Sequence, residues 1–349
     1  MTDVFLNPGF DNHEQVIFVN DPAADLRGII AIHNSVLGPA AGGCRMQPYE
    51  SVDKALYDVL RLSRGMTMKS SVAGLPLGGG KCVIIADPNS PGKKARLKAM
   101  GKHVQRLGGR FWTAIDMGVG PEDADIMAKE CDYIFARASE YSDNFNPSHF
   151  TALGGFHGIR AVAHHLRGTD ELRGLRVAIQ GVGATGAELT RHLVDHGAVV
   201  TVADVNESAV SQLVDQYSVT AVDPSIIHTL DVDVFAPCAL GAVLNDTTIP
   251  ELKASAVCGL ANNQLERAEH GQNLFDRNIA YVPDFVVNAG GMMGASTVIF
   301  STPNRENALA DIEGLFTTIT TILERSQDEG KPSEYIAEEM AKKRIYACV

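Results

Sequence analysis

Positive charge is what this chain has least of relative to its opposite: 30 lysines and arginines stand against 42 aspartates and glutamates, a net charge of -12. Neutralising a phosphate backbone needs clustered Lys and Arg, so the balance argues against a nucleic-acid surface, though not against a local cationic pocket. No apolar run approaches the ~20 residues that span a bilayer. Met1-Thr2-Asp3-Val4-Phe5 lacks a basic stretch followed by a long apolar one, so no secretory leader and no membrane partner are expected. The six cysteines, Cys44, Cys82, Cys131, Cys238, Cys258 and Cys348, form no C-x-x-C pair. That pattern fits reduced thiols in a cytoplasmic protein better than a disulfide framework. H-E-x-x-H is missing too, and His164-His165, the only adjacent histidine pair, would point in different directions on a helix, so no metal site is expected.

What remains describes an ordinary globular chain whose 349 residues are long for one core, so two domains are expected. Its densest chemistry runs from Gly65 to Asp116. Gly65-Met66-Thr67-Met68-Lys69 leads to Gly78-Gly79-Gly80-Lys81, the apolar run Cys82-Val83-Ile84-Ile85-Ala86, and Phe111-Trp112-Thr113-Ala114-Ile115-Asp116. Glycines let backbone approach a ligand closely. Two neighbouring ammonium groups lower the pKa of the more buried one, which suits a proton-transfer lysine; an acid nearby opposes that shift. The other reading has both lysines solvated and the glycines in a turn. Gly80-Lys81 is no P-loop: Leu75 and Cys82 stand where Gly and Ser or Thr are required.

In chain order, residues 16–19 and 28–33 read as paired strands around Asn20-Asp21-Pro22-Ala23. Gly38 to Met46 is too glycine-rich for an element interior. Ser51 should cap a helix that Gly65 ends, delivering Met66 to Lys69 at its C-terminal mouth. Strands over 82–86 and 111–115 flank a helix over 96–107, and Gly120-Pro121-Glu122-Asp123 starts another. Residues 138–148 read as a loop and domain boundary.

Beyond it come a helix over 153–166, a strand over 176–180, and Gly181-Val182-Gly183-Ala184-Thr185-Gly186 opening a further helix; a second strand ends in Asp204. This is the dinucleotide fingerprint in its required context. Gly181 permits the tight turn, Gly183 lets a pyrophosphate reach the helix N-terminus, and Gly186 lets helix and strand pack closely. Asp204 can bond ribose hydroxyls and repel a 2′-phosphate, which favours NAD over NADP. The stretches 232–238, 256–263 and 279–284 each read as a short strand followed by a loop facing the ligand crevice, among them Asn262-Asn263, a pair that also suits a plain turn. Residues 285–295 read as a second glycine-rich turn, and 306–346 as helical.

These motifs together resemble the amino-acid dehydrogenase family that includes the glutamate, leucine, valine and phenylalanine dehydrogenases. The likeness runs in order through Gly38-Pro39-Ala40-Ala41-Gly42-Gly43, Gly65 to Lys69, Gly78 to Lys81, Asp116, the fingerprint, Ala236-Pro237-Cys238-Ala239, Ala261-Asn262-Asn263-Gln264 and Asn288-Ala289-Gly290-Gly291. Its Gly-Gly-Gly-Lys segment looks like the leucine and phenylalanine branch. The resemblance implies an α/β chain of two domains separated by a cleft. An N-terminal α/β substrate domain would span 1–149, a Rossmann NAD domain 150–325, and C-terminal helices from about 326 would return to the first.

By motif position, Lys81 would be the catalytic lysine and Asp116 its proton-transfer partner. Lys69 would bind the substrate carboxylate, Gly42 and Gly43 carbonyls the amino group, and Asn263 would also reach substrate. Thr151, Ala236, Cys238 and Asn262 would lie beside the cofactor with Gly181, Gly183, Gly186 and Asp204. The implied reaction is reversible oxidative deamination by a homo-oligomer. Ala41 and Ala295 fall where glutamate members place a lysine and a serine on the distal carboxylate. An unpaired buried carboxylate is costly, so an apolar amino acid, phenylalanine or leucine in type, is expected, with Met292 beside its side chain. A dehydrogenase of the folate or shikimate type and a non-catalytic nucleotide sensor are the rival readings.

Overall fold

The computed structural model describes residues 3–141, 146–239, 241–300 and 305–347, and the chain divides into two compact units. Unit 1 comprises Met1–Phe145, Ala295–Pro303 and Ala341–Val349; unit 2 comprises Asn146–Gly294 and Asn304–Met340. Cys348 and most of the loop expected to end at Ser148 lie outside the described residues or inside the helix that starts at Pro147; the other five cysteines are free thiols.

Unit 1 is built on β1 (Gln15–Asp21), β2 (Leu26–Asn34), β3 (Ala40–Gln47), β4 (Gly78–Ile85) and β5 (Phe111–Ala114), in the order β1-β2-β4-β3-β5. β1, β2 and β4 pair antiparallel, whereas β3 runs parallel to both β4 and β5. Helix α1 (Val52–Val72) covers one face; α2 (Lys93–Gln105) and α3 (Pro121–Ala128) cover the other. Alternation sorts the side chains: Ile29, Ala31 and Val83 pack with Leu56, Val59 and Leu60 of α1, while Ile30, Ile32, Cys82 and Ile84 pack with Leu97 and Met100 of α2.

Two expectations fail here for one reason. The segment around Gly42 is a central strand rather than a loop, and the glycine triplet lies inside β4 rather than before it. A Cβ on Gly42 would strike the Gly80 carbonyl, one on Gly79 the Thr67 backbone of α1, and one on Gly80 the Phe111 ring. These glycines exist so that strands and helix can close on one another. Gly65, expected to end α1, sits exposed inside it, and the helix continues to Val72, where Gly74 at φ +77° supplies the left-handed residue that ends it.

Unit 2 opens with α4 (Pro147–Arg167), capped by Asn146. There follow β6 (Arg176–Gln180), α5 (Ala184–Asp195), β7 (Val199–Ala203), α6 (Glu207–Gln216), β8 (Thr220–Ala221) and β9 (Val234–Pro237). The chain continues through α7 (Thr248–Glu251), β10 (Ala256–Val257), α8 (Glu269–Asp276), β11 (Ala280–Tyr281), α9 (Asp284–Val287), α10 (Gly290–Ser296), α11 (Arg305–Glu313), α12 (Leu315–Glu329) and α13 (Ser333–Tyr346). The sheet order is β11-β10-β9-β6-β7-β8, with every pair parallel. Counted along the chain this is the doubly wound order 3-2-1-4-5-6, with its switch between β6 and β9.

The stretch 285–295, expected as a glycine-rich turn, forms α9 and α10. Its glycines receive α4: a Cβ on Gly290 would meet the Phe150 carbonyl, one on Gly291 the Thr151 hydroxyl, and one on Gly294 the Phe150 ring. The chain rejoins unit 1 twice, at Ala295–Pro303 and again from Ala341. Leu315, Ile319, Ile322 and Leu323 bury α12 within unit 2, Ile319 reaching Gly158 of α4, so the stretch up to Met340 stays with that unit. The last turns of α13 close on α1 instead. Arg344 donates to the carbonyls of Ser71, Gly74 and Leu75 at 2.7–3.0 Å, satisfying acceptors the helix end leaves open.

Candidate active site

Strand alternation aims Lys81 and Arg45 toward α1, because their neighbours Cys82 and Cys44 belong to the α2 side. Lys81 is 7 % exposed, and its Nζ closes on Oδ2 of Asp116, just past the end of β5. Oδ1 of Asp116 accepts the Met117 backbone N–H at 2.6 Å and lies 3.4 Å from Nη2 of Arg45. Burial opposes ionisation of Asp116, but the charges of Lys81 and Arg45 and these hydrogen bonds prevail, holding its pKa below the usual carboxylate value. Gly43 fits against this carboxylate, since a Cβ there would meet Ile115 and Asp116. The β3–β4 pairing runs Ala40↔Gly78, Ala41↔Gly79 and resumes only at Cys44↔Cys82, leaving Gly42 and Gly43 between the paired positions.

The structure therefore gathers Gly42, Gly43, Lys81 and Asp116 at one place in unit 1. Lys69 lies in the last turn of α1, half-buried. Ala41 and Ala295 are buried in unit 1, whereas Met292 belongs to unit 2. Arg45 escaped sequence reasoning, which saw it only as the tail of a glycine-rich loop. It bridges two carboxylates, donating through Nη1 to Asp58 at 3.0 Å and lying beside Asp116, partners 13 and 71 residues away. The only signal it left was a lone arginine in an otherwise apolar stretch.

In unit 2 the fingerprint loop sits at the switch of the sheet. Gly181 has φ +99°, and a Cβ there would strike Ala239; one on Gly186 would strike the Gly181 carbonyl. Gly183 differs from both. Its φ of -65° suits any residue, and among the described residues nothing lies within 4 Å of where its Cβ would be. Neither conformation nor packing needs glycine there, so the open space over the α5 N-terminus fits a dinucleotide's pyrophosphate.

Asp204, at the end of β7, accepts the Val182 N–H at 2.7 Å on Oδ2 and the Asn206 N–H at 2.9 Å on Oδ1, holding the loop in place. Ala236 is buried in β9, and half-buried Cys238 donates its N–H to the Gln180 carbonyl at 2.7 Å, at the same switch. Asn262 and Asn263 are exposed in a bend beyond β10, Asn263 at φ +51°; Asn262 Oδ1 accepts from buried Asn288 at 2.9 Å. Thr151 lies in α4, its hydroxyl donating to the Pro147 carbonyl at 2.8 Å.

Among the described residues, two clusters bring three histidine or carboxylate donors within 4.8 Å: His149, Glu188 and His192, and Asp246, Glu266 and His270. Each already holds a cation, Arg191 on Glu188 at 2.6 Å and Arg267 on Asp246 at 2.8 Å, so both are ion-pair networks as they stand. No described helix is long and apolar enough to cross a membrane.

Comparison with known proteins shows the family. Residues 13–133 match the family model described as Glu/Leu/Phe/Val dehydrogenase, dimerisation domain, and residues 205–305 match Glutamate/Leucine/Phenylalanine/Valine dehydrogenase. The chain is 43% identical over 334 residues to the leucine dehydrogenase of Bacillus subtilis, covering 96% of this chain and 92% of that one. It is 43% identical over 338 residues to the phenylalanine dehydrogenase of Caldalkalibacillus thermarum, covering 95% and 91%. The crystal structure of L-tryptophan dehydrogenase from Nostoc punctiforme superimposes with a TM-score of 0.87 at 38% identity, covering 97% of each chain.

Proposed function

The chain belongs to the glutamate, leucine, phenylalanine and valine dehydrogenase family of dinucleotide-dependent amino-acid dehydrogenases, and from that premise we propose that it catalyses NAD-dependent, reversible oxidative deamination of an apolar L-amino acid to the 2-oxo acid and ammonia. The observation that carries this reading is the buried Lys81–Asp116 pair in a chain that also folds a doubly wound sheet with an open Gly183. NAD, when bound, supplies the acceptor for the hydride that leaves Cα. Lys69 holds the α-carboxylate, the main chain at Gly42 and Gly43 meets the amino group, and Asn263 steadies the substrate. Lys81 passes a proton to Asp116 Oδ2; as the neutral amine it takes a proton from the water attacking the iminium carbon, returns it to the nitrogen, and takes the carbinolamine hydroxyl proton as the C–N bond breaks to give the 2-oxo acid and ammonia, while the proton on Asp116 is released to solvent.

On the cofactor side, Gly181, Gly183 and Gly186 shape the pyrophosphate turn, with Thr151, Ala236, Cys238 and Asn262 beside it. Each oxygen of Asp204 accepts one backbone N–H and keeps a lone pair for a ribose hydroxyl. Its charge and the absence of an arginine in Val205-Asn206 support NAD over NADP.

Ala41 and Ala295 cannot pair with a distal carboxylate, which disfavours glutamate. Their small, buried side chains favour an aromatic substrate over a branched aliphatic one, and the L-tryptophan dehydrogenase relative widens that class to indole. β1 is an edge strand with Phe18 exposed, and the matching model is a dimerisation domain, so a homo-oligomer is proposed. The free thiols support a reducing, cytoplasmic setting.

The test is to mix the protein with NAD or NADP and L-leucine, L-valine, L-phenylalanine, L-tryptophan or L-glutamate, and to follow nicotinamide reduction. Turnover with NAD and an apolar member is expected. Silence across the panel despite cofactor binding would favour the sensor reading.

A further inference from the structure

We propose that Arg45 is a positioning residue of this site, clamped by Asp58 and Tyr49 so that it fixes Oδ1 of Asp116 and leaves Oδ2 as the one oxygen that exchanges a proton with Lys81. The inference rests on the reading of Lys81 and Asp116 as a proton-transfer pair, and it adds three residues which that reading does not use.

An arginine within a strand, with its side chain 16 % exposed, is a charge drawn largely out of water, and such a charge persists where partners compensate it. Arg45 has one on each side. Nη1 donates to Asp58 Oδ2 at 3.0 Å, and Nη2 stands 3.4 Å from Asp116 Oδ1. Asp58 is itself restrained: the Tyr49 hydroxyl donates to Oδ2 at 2.7 Å, and Nη2 of Arg61 lies 3.6 Å from Oδ1. The guanidinium therefore cannot turn toward Asp116 or away from it without breaking its bond to a carboxylate that α1 holds fixed.

The two oxygens of Asp116 differ in consequence. Oδ1 faces Arg45 and the Met117 N–H, whereas Oδ2 faces Lys81. Protonating Oδ1 would set a neutral hydroxyl against a guanidinium and break a backbone hydrogen bond; protonating Oδ2 disturbs neither. Arg45 and Lys81 balance Asp58 and Asp116, so the four groups are neutral together while Lys81 carries its proton. When that proton moves to Oδ2, Arg45 makes the acid form of Asp116 unfavourable and drives the proton off again. The groups facing Asp116 are Lys81 from β4, Arg45 from β3, and the Met117 main chain, with the Cys44 thiol of β3 close enough to feel its charge. Asp58, Arg61 and Tyr49 act on it through Arg45.

The experiment compares Arg45→Met, Arg45→Lys and the double variant Arg45→Met/Asp58→Asn in the full chain. It reads kcat, KM for the best amino acid of the panel, the pH dependence of kcat/KM, and melting temperature. Arg45→Met is expected to lower kcat about tenfold or more, and to move the acid limb of kcat/KM upward by roughly one pH unit, since an opposite charge at this range lowers a carboxylate pKa by about 1–3 units. Arg45→Lys restores the limb, which needs only the charge, but not kcat, which needs the fork. The double variant removes the stranded Asp58 charge and recovers melting temperature while its limb stays displaced. If the variants alter melting temperature alone and every pH profile matches the parent, Arg45 is a structural ion pair and the proposal falls. Where Arg45→Met does not fold, an undisplaced limb in the double variant overturns it equally. Full turnover in Asp116→Asn would instead sink the proton-transfer reading itself, so the two failures are distinguishable.

Discussion

Glycine means opposite things in the two units. In unit 1, Gly42, Gly79 and Gly80 are empty of side chain because the protein fills the space: a carbonyl of β4, the backbone of α1 and a ring of β5 stand where Cβ atoms would be. In unit 2, Gly183 is empty and none of the described residues fills it. The first kind of glycine builds a site by pulling charged strands and a helix together; the second leaves room for a molecule the protein does not supply. The electrostatics divide the same way. Unit 1 offers a quartet of opposed charges in which Lys81 is buried and Arg45, Asp58 and Asp116 are part-buried, whereas unit 2 offers backbone donors at a helix N-terminus and one carboxylate at a strand end.

The largest break in that comparison comes from the charges. Lys81→Ala or Asp116→Asn is expected to lower kcat by roughly 10²–10⁴-fold while leaving NAD affinity, measured by fluorescence titration, nearly intact. An equal loss of cofactor affinity would show that the units do not divide the labour as described. Next come the glycines themselves. Gly42→Ala should destabilise the fold by about 1–3 kcal/mol in denaturant melts, because a backbone carbonyl must move to admit the methyl group. Gly183→Ala should leave stability unchanged and weaken NAD binding by about tenfold or more, near 1.4 kcal/mol; a stability loss matching that of Gly42→Ala would erase the distinction.

Arg344→Ala tests what closes unit 1 around the end of α1. Losing donors to three carbonyls should cost about 2 kcal/mol, with cofactor affinity untouched. The smallest effect concerns acid. Burial, followed by the neighbouring His13 charge, pushes the His33 pKa from 6.5 down to about 4. Between those values the unfolded chain binds the proton that the folded one refuses, so the share of stability His33 contributes is complete above pH 6.5 and drains as pH falls toward 4. In unit 2, His157 and His192 are likewise depressed to about 4, mainly by burial. A His33→Gln variant should thus flatten the stability slope across that window in part; an unchanged slope would assign it wholly to other groups.

Legibility followed the range of the interactions. The fingerprint, the second strand ending in Asp204 and the proline start of α3 are set by residues within a turn or two of one another, and all stand where local pattern placed them. The strand β3 and the helix pair α9 and α10 were misread as loops for the same cause. Glycine signals a turn only when its own dihedrals demand one, and none of Gly42, Gly43, Gly290, Gly291 and Gly294 has a positive φ. Lys81 and Asp116 were singled out from composition and motif order, but the strand face that brings them together was not visible there. Arg45 was missed altogether.

Sequence by itself determined the alternating α/β order, the dinucleotide turn and the side-chain types of the proposed site, because periodicity, capping and glycine dihedrals act between near neighbours. Only the tertiary structure decided which glycines are packed and which stand open, and which cations meet Asp116. Those answers depend on atoms brought together from 13 to 71 residues apart, whose contacts exist only once β3, β4, β5 and α1 have closed on one another.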